Sequence, residues 1–276
     1  MSGTTPALTS YVERLPSDGE YSLWVGPLDG PATVQHNAGH QHYAASTMKL
    51  ALVIAAYRRA DAGTLDLGQS VIVHDDFESA IGCTRFSIDR TEDSDEQTWR
   101  RMGERVALRW LANRAIVRSG NLATNLLLES VGLPAVAETL EFLGAKSSTV
   151  ARGIEDAPAR EAGHQNLVTA EDLALTLRQV AGQQAASPES CREVLATLAA
   201  QQINDAIPVG VPPGTKVAHK SGWVQGISHD AGIVFPPDAP PYVLVVCTTS
   251  TLAEQESLDL IAAAAAASWQ DRGVIS

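Results

Sequence analysis

Leu50 to Ala56 is an unbroken apolar run, and it follows Ser46-Thr47-Met48-Lys49 directly. Such a run forms a helix that is apolar all round, and a helix of that kind has to be buried. Burial carries Lys49 inward with it. Residues three apart share a helix face, so the spacing predicts that the Ser46 hydroxyl and the Lys49 amine are neighbours at the N-terminal end of this helix. Desolvation disfavours an ammonium, so a lysine in that position can act as a base toward the serine. The bland alternative is that Ser46 caps the helix and Lys49 snorkels outward.

The basic residues are unevenly chosen. Of twenty, only Lys49, Lys146, Lys216 and Lys220 are lysines. A chain that uses arginine for its surface charge makes each lysine notable, because only lysine is deprotonated readily on burial.

The chain has 276 residues, 45% of them hydrophobic, which supports one large domain or two closely packed ones. A net charge of -12 argues against nucleic acid or an anionic membrane surface as a partner. No apolar run reaches bilayer-spanning length. The first residues carry neither a basic segment nor a long apolar one, so the expectation is a cytoplasmic protein or one whose signal has been removed. Cys83, Cys191 and Cys247 are odd in number and far apart, which suits core or incidental thiols rather than disulfides or zinc.

Strands are expected at Tyr21–Val25, Ala32–Gln35, Lys216–Lys220, Ala231–Phe235 and Tyr242–Thr248, with a short one at Val71–Val73. Helices are expected from Ser46 to Ala60, Glu104 to Val117, Leu122 to Ser130, Pro134 to Leu143, Thr169 to Val180, Pro188 to Gln201 and Leu252 to Trp269. The acidic run Glu92–Glu96 is expected in a solvated loop. Residues 151–167 form a long, weakly periodic connection of the kind that is functional or disordered. Strands at both ends and helices between predict an α/β (α+β) fold. Its antiparallel sheet is flanked by N- and C-terminal helices, with residues 1–64 and 205–276 in one lobe and an all-helical lobe of residues 65–204. A cleft between lobes is a natural ligand site.

Two further motifs carry chemistry. Ser119-Gly120-Asn121 sits between two expected helices and can aim a hydroxyl and an amide into the cleft, although these are also ordinary turn residues. Lys220-Ser221-Gly222-Trp223 ends an expected strand. The lysine there can hold a carboxylate and disfavour a proton on Lys49, and Gly222 permits close approach of a substrate backbone. The Trp223 and Ser46 amides can pair as an oxyanion hole.

S-x-x-K, S-x-N and K-S-G in this order resemble the serine β-lactamase and penicillin-binding superfamily, most closely the class A β-lactamases. The flanks Ile116–Leu127 and His219–Val234 are similar to that family's segments around its second and third motifs. The resemblance implies a class A β-lactamase-like (DD-peptidase-like) fold with no metal and no cofactor. It implies Ser46 as nucleophile, Lys49 as base and Ser119 as proton shuttle. Asn121 would position substrate, Lys220 and Ser221 would bind its carboxylate, and Gly222 and Trp223 would line the substrate. The substrate expected is a small molecule bearing an amide or ester, a β-lactam first. Alternatives are a cytoplasmic amidase or esterase on a small metabolite or peptide, and a penicillin-binding pseudoenzyme.

The resemblance is imperfect at two places. Gly120 stands where that family usually has aspartate. The loop glutamate that activates the hydrolytic water is expected on Arg-x-Glu-x-x-x-Asn spacing, whereas this chain has Arg152-Gly-Ile-Glu155 with Pro158 where asparagine is sought. Glu155, with Asp156 and Glu161 behind it, is the candidate. Without a carboxylate at the acyl carbonyl, such an enzyme would acylate and stall. His36, His40 and His42 have spacing that can suit zinc but lack an acidic or thiol partner nearby, and His229-Asp230 is expected to shape a hairpin rather than to complete a triad.

Overall fold

The computed structural model describes residues 4–275. Helix α1 (Pro6–Glu13) leads into strands β1 (Gly19–Pro27) and β2 (Val34–His36). Helix α2 (Lys49–Asp61) follows a 3-10 turn at Ala45–Met48. Next come α3 (Leu108–Val117), α4 (Asn121–Val131), α5 (Leu133–Leu143), α6 (Ala170–Ala181) and α7 (Pro188–Ala199). The chain closes with β3 (Lys216–Val224), β4 (Ile227–Phe235), β5 (Tyr242–Ser250) and α8 (Glu254–Gln270). Among the described residues, no helix is long and apolar enough to cross a membrane.

The strands form one five-stranded antiparallel sheet in the order β2-β1-β5-β4-β3. The N-terminal strand therefore pairs with the C-terminal one, with Trp24 opposite Val245. Alternate residues serve the two faces. Leu23, Val25, Leu244 and Val246 pack with Leu8 of α1 and with Ile261 and Ala265 of α8. Trp24, Val243, Val245 and Cys247 face the other way, into an apolar cluster that continues through Leu52 of α2 to Leu126 of α4 and Leu177 of α6. Cover on both faces explains why these strands read as continuous apolar runs rather than as alternating ones.

Helix α2 is buried from Lys49 through Tyr57, as its apolar sequence requires. The caps expected at Thr169 and Ser187 are present, with each hydroxyl accepting from the amide three residues on. Three features depart from expectation. Helix α1 has no strong sequence signal. It is held by docking, with Leu8 and Tyr11 buried and the Leu8 amide donating to Asp271 at 2.8 Å. The helix expected from Glu104 begins only at Leu108, because Arg105–Ala107 pairs with Ser70–Ile72. The long connection holds a short helix, Ala157–Glu161, capped by Asp156.

The histidines of the first segment have different polar partners, although the rings of His40 and His42 meet edge-on with centroids 4.8 Å apart. His36 meets Asn37, His40 approaches Glu20, and the buried His42 sits between the hydroxyls of Ser22 and Thr249. In β4 the neighbours His229 and Asp230 have separate partners. Asp230 pairs with His219, and His229 Nε2 lies 2.8 Å from the Tyr43 carbonyl.

Candidate active site

Ser46 lies in the 3-10 turn that precedes α2, not in the helix itself. Strand β3 runs against this turn. A side chain at Gly222 would put its Cβ 2.8 Å from the Ser46 amide nitrogen and 2.9 Å from that of Thr47, so only glycine fits. This contact sets Trp223 beside Ser46 on one cavity of about 430 Å³. Ser119, Asn121, Glu155, Arg152 and Tyr43 line the same cavity. Ala45, Ser119 and Glu155 have φ of 44°, 54° and 62°. Non-glycine residues in this region carry strain of order 1–3 kcal/mol each and cluster at functional sites.

Lys49 and Lys220 are fully buried and converge on Ser119. Lys49 Nζ donates to the Ser119 carbonyl at 2.6 Å, to Asn121 Oδ1 at 2.8 Å and to Ser119 Oγ at 3.3 Å. Lys220 Nζ donates to Ser119 Oγ at 3.1 Å and to the Ser221 carbonyl. In this arrangement the bonds of Lys49 go to Ser119 and Asn121 rather than to Ser46. Burial, and then the charge of Lys220, hold Lys49 well below the usual lysine range. Burial brings Lys220 down to about 7. The Ser221 hydroxyl is buried and has no hydrogen-bond partner among the described residues, so it is an open polar position beside Lys220.

Of the three loop acids, Glu155 and Asp156 line the cavity, and Glu155 is the one that approaches Asn121. Its Oε1 lies 3.4 Å from Asn121 Nδ2, and its Oε2 accepts from the Asp89 amide at 2.7 Å. Half-burial raises its carboxyl above the ordinary 4.5. Asn125 clamps the preceding residue, taking the Ile154 amide at 2.8 Å and giving to its carbonyl at 2.9 Å. Asp156 is consumed structurally by Ser79, Ala80 and Ala159, and Glu161 is exposed. The asparagine that closes the base of this loop is Asn166. Its side chain pairs with the Arg152 backbone in both directions, and the Arg152 guanidinium reaches the Tyr43 hydroxyl. Neither Asn166 nor Tyr43 carried a signal in the sequence, because both work through contacts distant along the chain.

In the acidic run Glu92 and Glu96 are exposed as expected, but the middle corrects the expectation of a solvated loop. Asp95 is buried and Asp93 half-buried, and both carboxylates are spent on the segment that carries Ser119 and Asn121. Asp93 accepts from the Asn121 and Leu122 amides at 2.9 Å each. Asp95 pairs with Arg114.

The β-lactamase enzyme family matches the chain over residues 7–271. A β-lactamase from Streptomyces lavendulae is 29% identical over 143 residues, covering 50% of this chain and 47% of that protein. The extended-spectrum β-lactamase PER-1 from Pseudomonas aeruginosa is 27% identical over 216 residues, covering 73% of this chain and 65% of that one. The chain thus spans about half the length of the Streptomyces relative. Among solved structures, a β-lactamase from Sphaerobacter thermophilus superposes with a TM-score of 0.83 at 27% identity, covering 99% of this chain and 98% of that one. PBP-A has the same fold, with a TM-score of 0.80 at 20% identity over 97% of this chain and 94% of that one. With the match running nearly end to end and the fold shared throughout, the chain belongs to the β-lactamase enzyme family.

Proposed function

We propose that this protein is a serine hydrolase that opens a β-lactam or related cyclic amide through an acyl-enzyme on Ser46. The observation that carries the reading is the Ser119 hydroxyl between two buried lysines, with Glu155 at the far side of Asn121.

Ser46 Oγ attacks the carbonyl carbon while its proton passes to a neutral Lys49, which turns from Ser119 toward Ser46 to receive it. The Ser46 and Trp223 amides stabilise the oxyanion. As the ring C–N bond breaks, Ser119 delivers a proton to the leaving nitrogen and is resupplied by Lys49 or Lys220. Lys220, Ser221 and the chain at Gly222 hold the substrate carboxylate. Glu155 then takes a proton from water as the water oxygen attacks the acyl carbonyl, and when the ester C–O bond breaks that proton returns to Ser46 Oγ. Asn121 bridges the two halves because it contacts both Lys49 and Glu155. The approach of Glu155 to Asn121 favours turnover over an enzyme that stalls once acylated, so the amidase, esterase and pseudoenzyme readings are not favoured. The two Asn125 bonds to Ile154 support the same view, since they anchor the backbone of the residue just before Glu155.

The test is intact-protein mass after brief mixing with a simple penicillin, run beside a product assay. Rapid product that disappears in Ser46→Ala, with the fold retained, is expected. Unchanged turnover in Ser46→Ala overturns the assignment.

A further inference from the structure

Gly120 has φ -59° and ψ 125°, which any residue adopts, so its backbone does not demand glycine. The neighbour does. A Cβ at position 120 would lie 2.9 Å from Asp95 Cβ and 3.1 Å from Asp95 Oδ2. The Asp95 side chain occupies the volume that a side chain at 120 would fill. Its carboxylate is fully engaged there by the Arg114 guanidinium, by Thr98 Oγ1 at 2.6 Å and by the Gln97 amide at 3.2 Å. Arg114 belongs to α3, and its carbonyl accepts the Gly120 amide at 3.2 Å. The acid, the arginine and the Ser119-Gly120-Asn121 turn therefore form one buried unit.

Asp93 completes it. Helix α4 has no side-chain cap of its own, because Gly120 precedes it. Asp93 supplies that cap from 28 residues away. Oδ1 takes the Asn121 amide and Oδ2 takes the Leu122 amide, and Trp99 Nε1 at 2.9 Å steadies the carboxylate. Ser94, between the two acids, donates to the Arg118 carbonyl and accepts from the Arg118 side chain. Every residue from Asp93 to Asp95 is thus tied to residues 114–122.

We propose that Asp93 and Asp95 are positioning residues for Ser119 and Asn121, and that Asp95 and Gly120 form an exchangeable pair in which one acid serves from either position. This rests on the serine hydrolase reading above, in that Ser119 and Asn121 are the groups positioned. Asp93 and Asp95 also act on Lys49 at a distance. The groups facing Lys49 are Lys220 from β3, Asp93 and Asp95 from the acidic run, and Glu155 from the long loop. The three acids favour its charged form, while Lys220 opposes it.

The test is an exchange. Gly120→Asp alone forces a second carboxylate onto Asp95, and Asp95→Gly alone leaves Arg114 buried without a partner. Each is expected to lower the midpoint of thermal unfolding and to slow acylation by penicillin about 100-fold, the cost of small misplacements in an active site. The double variant Asp95→Gly/Gly120→Asp returns an acid to Arg114 and is expected to recover the midpoint and acylation to within about 10-fold of the starting protein. A double variant no better than the poorer single variant overturns the exchange.

Asp93→Asn reads positioning apart from folding. Losing a negative charge near Lys49 lowers that amine's pKa further, so the acid limb of acylation moves to lower pH. In the double variant, which keeps its charge, the limb stays in place. An unmoved limb in Asp93→Asn, or singles that acylate as well as the starting protein, refutes the positioning role. If the starting protein itself forms no acyl-enzyme, the hydrolase reading fails, and recovery of the unfolding midpoint still decides whether Asp95 and Gly120 exchange.

Discussion

Lys49 and Lys220 meet at one oxygen, both donating to Ser119 Oγ, at 3.3 and 3.1 Å. Two full positive charges at one buried hydroxyl would repel strongly, and both side chains are held below the usual lysine range, chiefly by burial. The lowered pKa of Lys49 suits the base role proposed for it, and in that proposal the charge of Lys220 bears on substrate binding.

Because Lys220 titrates at about 7, it is charged below that pH and largely neutral above it in the free protein. A substrate carboxylate needs the charged form. KM for a penicillin with a free carboxylate is therefore expected to rise as pH increases past 7, while its methyl ester shows no such rise. Parallel pH profiles for acid and ester would remove Lys220 from carboxylate binding.

Glu155→Gln is expected to slow deacylation by about 10²–10⁴-fold, the usual contribution of a positioned general base. Acylation should change little, so the adduct accumulates and is visible by intact mass. In the proposed mechanism, deacylation of the unsubstituted protein uses ionised Glu155, whose pKa is raised by burial. Its rate should therefore fall on acidification at a pH above 4.5. Equal deacylation in the variant would assign the water to another group.

Gly222→Ala places a methyl 2.8 Å from the Ser46 amide nitrogen and 2.9 Å from that of Thr47, both backbone atoms. Strand and turn must separate, which disturbs the expected oxyanion pair. Acylation is expected to fall by about 100-fold, while the unfolding midpoint moves much less. A normal acylation rate in this variant would show that the approach of β3 to Ser46 is not needed for the chemistry.

His42 provides a pH effect on stability away from the site. It is buried between two hydroxyls, and burial together with the nearby His229 pushes its pKa down from 6.5 to about 3. Folded protein holds it neutral while the unfolded chain protonates it below 6.5, so its contribution is complete above that pH. As pH falls from 6.5 toward 3, stability should decline by up to about 1.4 kcal/mol per unit. Urea unfolding across this range should be flatter in His42→Gln. An identical slope would mean that other groups carry the acid sensitivity.

The helix at Lys49 was legible because its evidence is local: seven apolar residues in succession admit no solvated face. The pairing of terminal strands followed from apolar runs at both chain ends. The start of α3 was misjudged because Arg105–Ala107 fits a helical period until Ser70–Ile72 offers it a strand partner. Helix α1 escaped because eight residues have little intrinsic stability, and Asp271 and the surface of α8 supply the rest.

Sequence alone determined which motifs to follow and the order in which they occur: Ser46 and Lys49, Ser119 and Asn121, then Lys220. Only tertiary structure decided which acids lie beside them. Glu155 lies out of the expected spacing, yet a left-handed turn and the Asn125 clamp carry it to Asn121. Asp93 and Asp95 look like solvated charge until residues 114–122 bring amides and a guanidinium to them. A carboxylate has the same composition wherever it stands. Its role depends on the donors and the dielectric around it, and distant segments provide both only when the chain folds.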